Sequence, residues 1–214
     1  MIIALLIIMG YLMGSIPSGY LFSKWFKGVD IRNLGSGNTG GANVFTQVGP
    51  LPGVLTGLCD IAKGLIPVLI AKGLGLDLWA IGFIALSPIC GHNWSLFLNF
   101  KGGQGMATSL GAITPLLPLE VGIAIVVGLI AGFLSKFFSL PGWFKTKRAA
   151  GGFVGVALFF ILVFVFEISW ALRVMVIAWG IILLIKQIEG VVTRKGYMRE
   201  LILGVASIIQ KQRR

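Results

Sequence analysis

The chain has 214 residues, of which 57% are hydrophobic and 12% charged, with a net charge of +11. A soluble domain carries roughly 25% charged residues, so this composition and a mean hydropathy of +0.95 exclude a soluble globular fold. The basic residues stand between and after apolar stretches, so they read as topology signals and lipid-surface contacts, not as a nucleic-acid footprint.

The first apolar stretch covers residues 2–22. It has no basic segment before it and no small-x-small cleavage site, and Lys24 and Lys27 follow it. It reads as an uncleaved anchor with its N-terminus outside. Ser15-Ile16-Pro17-Ser18-Gly19 interrupts its end. Such a break either packs helices or opens backbone groups to a cavity, and Gly10 and Gly14 form a small-residue face that suits packing.

A cytoplasmic segment, 23–50, follows and contains Gly35-Ser36-Gly37-Asn38-Thr39-Gly40-Gly41-Ala42-Asn43. Glycines let a backbone approach a ligand closely, and successive N–H groups in such turns form anion-binding nests. Ser36, Asn38, Thr39 and Asn43 add polar side chains, a helix starting near Asn43 would add its positive end, and no carboxylate stands in the loop. On the residues alone this is a phosphate site or a tight turn of small residues.

The second span, 52–71, carries Asp60 and Lys63 on one helical face. Ionisable groups inside a span are costly, so these two pair with each other or line a polar cavity. Cys59 and Cys90 lack metal-ligand spacing and read as inert thiols; no metal site is expected. The third span, 78–96, holds Gly91-His92-Asn93-Trp94 near its end. His92 is the single histidine and the candidate catalytic base; a hydrogen-bonded structural role is the alternative.

The next polar segment leads into a helix through Lys101-Gly102-Gly103-Gln104-Gly105-Met106-Ala107-Thr108. A lysine beside backbone donors at a helix start suits a phosphate, and a snorkelling lysine is the alternative. The apolar region 106–134 is interrupted by Pro115 and Pro118. One crossing would place Lys136, Lys145, Lys147 and Arg148 outside, so two crossings are expected, the first short. Spans at 150–166 and 170–186 follow, then a basic tail with Arg194, Lys195, Arg199, Lys211, Arg213 and Arg214. The expectation is an all-α, polytopic transmembrane bundle, a single membrane domain over 1–214 with about seven spans, N-terminus outside and C-terminus cytoplasmic.

Three segments in order resemble the acyl-phosphate-dependent glycerol-3-phosphate acyltransferases of bacteria, the PlsY family. These are Ser15 to Gly19, Gly35 to Asn43, and Gly91-His92 with Phe97, Phe100 to Gly103, Gly105 and Ala107-Thr108. Asp60, Lys63, Gly64 and Pro67 are similar to that family as well. The likeness covers about residues 1–112; the remainder matches in hydropathy alone. The resemblance implies a bacterial plasma-membrane enzyme, multi-pass, with its site facing the cytoplasm. It would move a fatty acyl group from acyl phosphate to glycerol 3-phosphate, giving lysophosphatidic acid and phosphate without a nucleotide or metal cofactor. Its partners would be those two substrates and membrane lipids, with no nucleic acid. Ser36, Gly37, Asn38, Thr39, Gly40, Asn43, Lys101, Gly102, Gly103, Gln104, Gly105 and Thr108 would bind substrate, with His92 at the chemistry.

The chain departs from the family pattern at Thr46 and Gln104, where cations are expected, and at Ala42 and Ser95. Lys186-Gln187-Ile188-Glu189-Gly190 stands where a histidine and an asparagine are common. These departures bear on the acceptor more than on the acyl phosphate. The competing readings are a family paralogue with another acceptor or no activity, an anion transporter built on broken helices, and a structural protein.

Overall fold

The computed structural model describes residues 1–135 and 147–212. In chain order its helices are α1 (Ile2–Ser15), α2 (Ser18–Lys27), α3 (Gly41–Gln47), α4 (Pro50–Gly73), α5 (Leu78–Asn93), α6 (Met106–Ile113), α7 (Pro118–Leu134), α8 (Lys147–Val165) and α9 (Trp170–Gln212). Short 3-10 turns at Ile31–Asn33 and Leu96–Leu98 punctuate the polar segments. Lys136, Lys145, Arg213 and Arg214, read above as cytoplasmic charges, lie outside the described residues.

Four helical stretches are long and apolar enough to cross a bilayer: Ile2–Lys27, Pro50–Gly73, Leu78–Leu98 and Trp170–Gly190. Pro118–Leu134 and Gly151–Val165 are shorter apolar helices. The chain is therefore a multi-pass membrane protein built of helices, the structure that satisfies every backbone group away from water. The 106–134 region is two helices, as its prolines suggest, separated at 114–117. At eight residues, α6 spans about 12 Å and does not cross a hydrocarbon core alone. The last helix runs well past 186, because Gly190 alone does not stop it.

The sides of the bundle present large apolar residues such as Leu58, Phe83, Leu129 and Leu184, while serines, Asp60, Lys63, His92 and Asn93 are buried. This inversion suits a lipid solvent, in which interfaces close through small residues and interhelical hydrogen bonds. Here α1 packs on α5 through Gly14, where a Cβ would collide with the Pro88 carbonyl, and through Gly91, which rests on the Tyr11 carbonyl. The small-residue face expected on the first span is thus a packing surface. Helices α4 and α6 meet in the same way, with Gly64 against the Thr108 carbonyl and Gly111 against that of Ile61. A cluster including Val68, Ile84, Ile89, Ala112, Val121, Phe159, Val176 and Trp179 forms the apolar core.

Local signals fit their places. Asp77 caps α5, its carboxylate accepting from the N–H groups of Trp79 and Ala80. At the same end, Lys72 donates to the Pro115 carbonyl at 2.6 Å, tying the α4–α5 turn to the α6–α7 turn. The three motif-bearing segments lie at the opposite ends of α4, α5 and α6.

Candidate active site

The break at Pro17 is where the site begins. Proline has no N–H and disturbs the preceding turn, so α1 stops at Ser15 and α2 restarts at Ser18. The carbonyl of Ile16, freed from helical bonding, accepts from Lys63 Nζ at 2.5 Å. Lys63 also donates to Ser18 Oγ at 2.7 Å and to Asp60 Oδ1 at 2.8 Å, and Ser18 Oγ donates to the same Asp60 oxygen at 2.6 Å. His92 Nδ1 stands 3.5 Å from that oxygen. Asp60 and Lys63 pair as expected, and they also join the Ser15–Gly19 break to the histidine of α5.

The loop from Gly35 to Asn43 is organised by Asn43, whose amide Nδ2 donates to the carbonyls of Asn38 at 2.9 Å and Leu34 at 3.0 Å. Its Oδ1 accepts from the Ser36 N–H at 3.0 Å. Ser36 Oγ accepts from the Asn38 N–H, Asn38 Oδ1 from the Gly40 N–H, and the Gly37 N–H donates to the Leu34 carbonyl. The fold therefore differs from the expected nest of free amides. Small polar side chains turn back on their own loop, as Asn and Ser do in turns. Gly37 needs its positive φ of 71° to make this turn. Thr39 is the buried member, at 4% exposure, and Gly19 lies directly against its carbonyl. Nearby, Asp30 binds the Arg32 guanidinium through both oxygens, and this hydrogen-bonded cation holds the Asp30 carboxyl below its usual value.

The Lys101–Gly105 segment is strapped to the end of α5. The Gly103 N–H donates to the His92 carbonyl at 2.9 Å and the Gly102 N–H to the Asn93 carbonyl at 3.2 Å. The glycines are required by this closeness. A Cβ on Gly102 would strike the His92 carbonyl, one on Gly103 the His92 Nε2, and one on Gly105 the Asn93 Oδ1. Gly105 also opens α6 with a φ of 74°.

These segments converge on a cavity of about 10 Å³, room for roughly one water. It is lined by Ser15, Ser18 and Gly19, by Thr39, and by His92 and Gly102, among others. One residue from each glycine-rich loop thus faces the same small space as the histidine. Of the other expected residues, Ser36, Gly37 and Lys101 are exposed, Gln104 is half-buried, and Thr108 is buried within α6. None of these five lines the cavity. A second cavity of about 590 Å³ opens between α6, α7, α8 and α9, lined by apolar residues including Met106, Leu110, Ile113, Val121, Phe159 and Trp179. Trp179 donates to Ser109 at 2.6 Å on its wall.

Sequence reasoning missed two features. Asn93 is fully buried beside Gly105, with both amide atoms lacking a partner among the described residues. It lies within Gly91-His92-Asn93-Trp94 and carries no sequence signal of its own. The end of α9 reaches the third segment through Glu189, which accepts from Trp94 Nε1 at 3.0 Å and from Lys186 Nζ at 3.0 Å. Lys186 lies over the Trp94 ring at 5.4 Å. In the sequence the 186–190 stretch shows as a departure from the family pattern with Lys186 as a spare cation, and nothing in it points to a Glu189–Trp94 contact.

Comparison with known proteins gives a consistent answer. The family model for glycerol-3-phosphate acyltransferase matches residues 4–194. Glycerol-3-phosphate acyltransferase 4 of Dehalococcoides mccartyi strain CBDB1 is 45% identical over 135 residues, covering 63% of this chain and 57% of that relative. Glycerol-3-phosphate acyltransferase 5 of Dehalococcoides mccartyi strain ATCC BAA-2266 / KCTC 15142 / 195 is 39% identical over 157 residues, 73% of this chain and 63% of its own length. The match thus spans about three-fifths of the length of these two relatives. The crystal structure of PlsY (YgiH), an integral membrane glycerol 3-phosphate acyltransferase, in its glycerol 3-phosphate form, superposes with a TM-score of 0.75 at 32% identity. That alignment covers 95% of this chain and 94% of the other. With one fold shared along nearly its whole length and the family model spanning most of its residues, the chain belongs to the glycerol-3-phosphate acyltransferase family.

Proposed function

We propose that this protein transfers a fatty acyl group from acyl phosphate to glycerol 3-phosphate, releasing lysophosphatidic acid and inorganic phosphate. The observation that carries this reading is the convergence of the Ser15–Gly19 break, Thr39, His92 and Gly102 on one small polar cavity. Family membership supports it, and so do the forms in which the related PlsY is described, with glycerol 3-phosphate and with lysophosphatidic acid. The large apolar cavity begins at Met106, one residue past the glycine-rich segment, and suits an acyl chain whose head group rests on that segment.

In this mechanism Lys101 is the counterion of the acyl-phosphate head, with Gly102, Gly103, Gln104 and Gly105 beneath it. Thr39 brings the Gly35–Asn43 loop to the cavity, Ser36, Gly37, Asn38 and Gly40 would meet the head group from the same loop once substrate enters, Asn43 frames that loop, and Thr108 supports the start of α6. Catalysis comes from positioning and charge stabilisation, without a covalent enzyme intermediate. The acceptor hydroxyl attacks the acyl carbon near His92, and its proton ends on the leaving phosphate. The arrangement in the membrane is about seven spans, the short α6 being the partly embedded fourth, with the N-terminus outside and the site at the cytoplasmic face of a bacterial plasma membrane. The positive-inside rule supports this orientation.

One observation favours a second reading, a family paralogue with another acceptor. Thr46 turns its hydroxyl onto the carbonyls of Ala42 and Asn43, at 3.2 and 3.0 Å, and so offers no cation to an incoming phosphate. Purified protein given long-chain acyl phosphate or acyl-CoA and a panel of acceptors, glycerol 3-phosphate first, separates these. Phosphate release with lysophosphatidic acid is the expected result. Lipid product only from another acceptor favours the paralogue, and uptake into liposomes without product favours an anion transporter.

A further inference from the structure

The cavity of about 590 Å³ has an open end and a closed one. At the open end Met106 of α6 and Phe133 of α7 are 44% and 57% exposed, and Gly152 of α8 is exposed as well. At the other end Ile113, Val121, Phe159 and Trp179 are all buried, Phe159 at 4% exposure and Trp179 at 5%. The three helices α6, α7 and α8 grade in the same direction, and α6 starts from the glycine-rich segment, so the open end lies next to that segment. The seam between α7 and α8 is shut at backbone distance: a Cβ on Gly151 would strike the Gly128 carbonyl, and one on Gly155 the Ala124 carbonyl. From Phe133 to Val121 is about 18 Å of helix, the scale of a long acyl chain and not of a head group.

The closed end is held in place. Phe159 stands edge-on to Trp179 with ring centroids 5.6 Å apart, and Phe160 stacks on the same indole at 5.4 Å. An indole N–H in an apolar interior needs a partner, and Trp179 Nε1 donates to Ser109 Oγ at 2.6 Å. Ser109 Oγ donates in turn to the Gly105 carbonyl at 2.7 Å, at the start of α6. The closed end and the glycine-rich segment are thereby parts of one hydrogen-bonded frame, at a fixed separation. We propose that this cavity measures the acyl chain of the donor, and that Phe159 is the residue against which the terminal methyl of the chain stops. With the acyl-phosphate head on the glycine-rich segment, a chain that just reaches Phe159 buries all of its methylenes. A longer chain buckles or draws its carbonyl away from the site. Val156 lines the same cavity three residues nearer the open end, on the same face of α8, so added bulk there shortens the measure.

The inference rests on the acyltransferase reading above. The test is the chain-length profile of detergent-purified protein, read as kcat/KM for lauroyl, myristoyl, palmitoyl, stearoyl and arachidoyl phosphate with glycerol 3-phosphate as acceptor. Wild type is expected to rise along the series and then fall once the chain outgrows the cavity. F159A is expected to move the fall to a longer chain, raising the ratio of arachidoyl to palmitoyl transfer about tenfold, the discrimination that a methylene or two brings in an apolar pocket. V156F is expected to move it to a shorter chain, raising the ratio of lauroyl to palmitoyl transfer by about the same factor. F159L, which keeps more of the packing around Trp179, is assayed beside F159A and is expected to shift the profile in the same direction by less. A residue that only supports the fold would lower transfer of every chain in one proportion, and the KM for glycerol 3-phosphate should stay unchanged in all three variants. A flat wild-type profile, or profiles of wild-type shape in both F159L and V156F, overturn the proposal. Wild-type protein that yields no lipid product from any acyl phosphate overturns the acyltransferase reading instead.

Discussion

Lys63 Nζ donates to the backbone carbonyl of Ile16 at 2.5 Å, so a lysine in the middle of α4 closes the gap that Pro17 opens between α1 and α2. The same ammonium holds Asp60 and Ser18. Replacing it with an apolar residue leaves a buried carboxylate without its counter-charge. Loss of one partner of a buried pair costs about 3–5 kcal/mol. K63M is expected to melt far below wild type in detergent, and D60N/K63M to recover much of that loss. Thermal unfolding of the two variants side by side checks this, and equal melting temperatures would contradict it.

Gly103 has no room for a methyl group, because His92 Nε2 occupies the place a Cβ would take. Overpacking of this kind costs about 1–3 kcal/mol, and here the strain falls on the imidazole and on the bond from the Gly103 N–H to the His92 carbonyl. G103A is expected to lose most of its turnover while still purifying as a folded protein. Turnover near wild type would mean that the segment does not sit on α5 during the reaction.

Lys101 is exposed, so its removal should leave stability unchanged. K101A is expected to raise the KM for acyl phosphate at least about tenfold or to abolish turnover, since a charge-assisted bond to phosphate is lost. Steady-state kinetics with acyl phosphate varied is the measurement; an unaltered KM and kcat would remove Lys101 from the site.

Glu189 accepts from the Trp94 indole and holds Lys186 by an ion pair at 3.0 Å. Its removal frees the Lys186 ammonium beside Trp94. Lys186 is buried at 7% exposure, so E189A leaves its ammonium without the carboxylate and is expected to cost about 1–3 kcal/mol of stability, and to lower the KM for glycerol 3-phosphate severalfold. A higher KM would show that Glu189 matters instead as the partner of the Trp94 indole.

The Asp30–Arg32 pair, outside the membrane spans, gives a pH signature. Hydrogen bonding to the Arg32 guanidinium lowers the Asp30 pKa from its ordinary 3.8. A depressed carboxyl contributes stability that is present above its unfolded value and lost as pH falls through the folded one. Loosening of the 28–34 turn is therefore expected only below about pH 4, with no change between pH 6 and 8. Amide exchange of this turn in wild type and D30N follows it; D30N should show no such acid step.

The membrane class, the apolar helices that form the four long spans, and the breaks at Pro17 and before Met106 were legible in the sequence, because hydropathy and proline or glycine punctuation are local properties of the chain. So was the pairing of Asp60 with Lys63, which one helical turn dictates. What the glycines do was not legible. The sequence suggested backbone amides free for an anion, whereas in the fold those of Ser36, Gly37, Asn38 and Gly40 are bonded within their own loop. Gly102 and Gly103 serve to admit His92. The union of Ser18, Asp60, Lys63 and His92, and the reach of Glu189 to Trp94 across 95 residues, were settled only by helix packing. A local pattern states what a side chain is able to donate or accept. Which partner it meets depends on how closely helices approach, and that is decided by the small residues at their crossings.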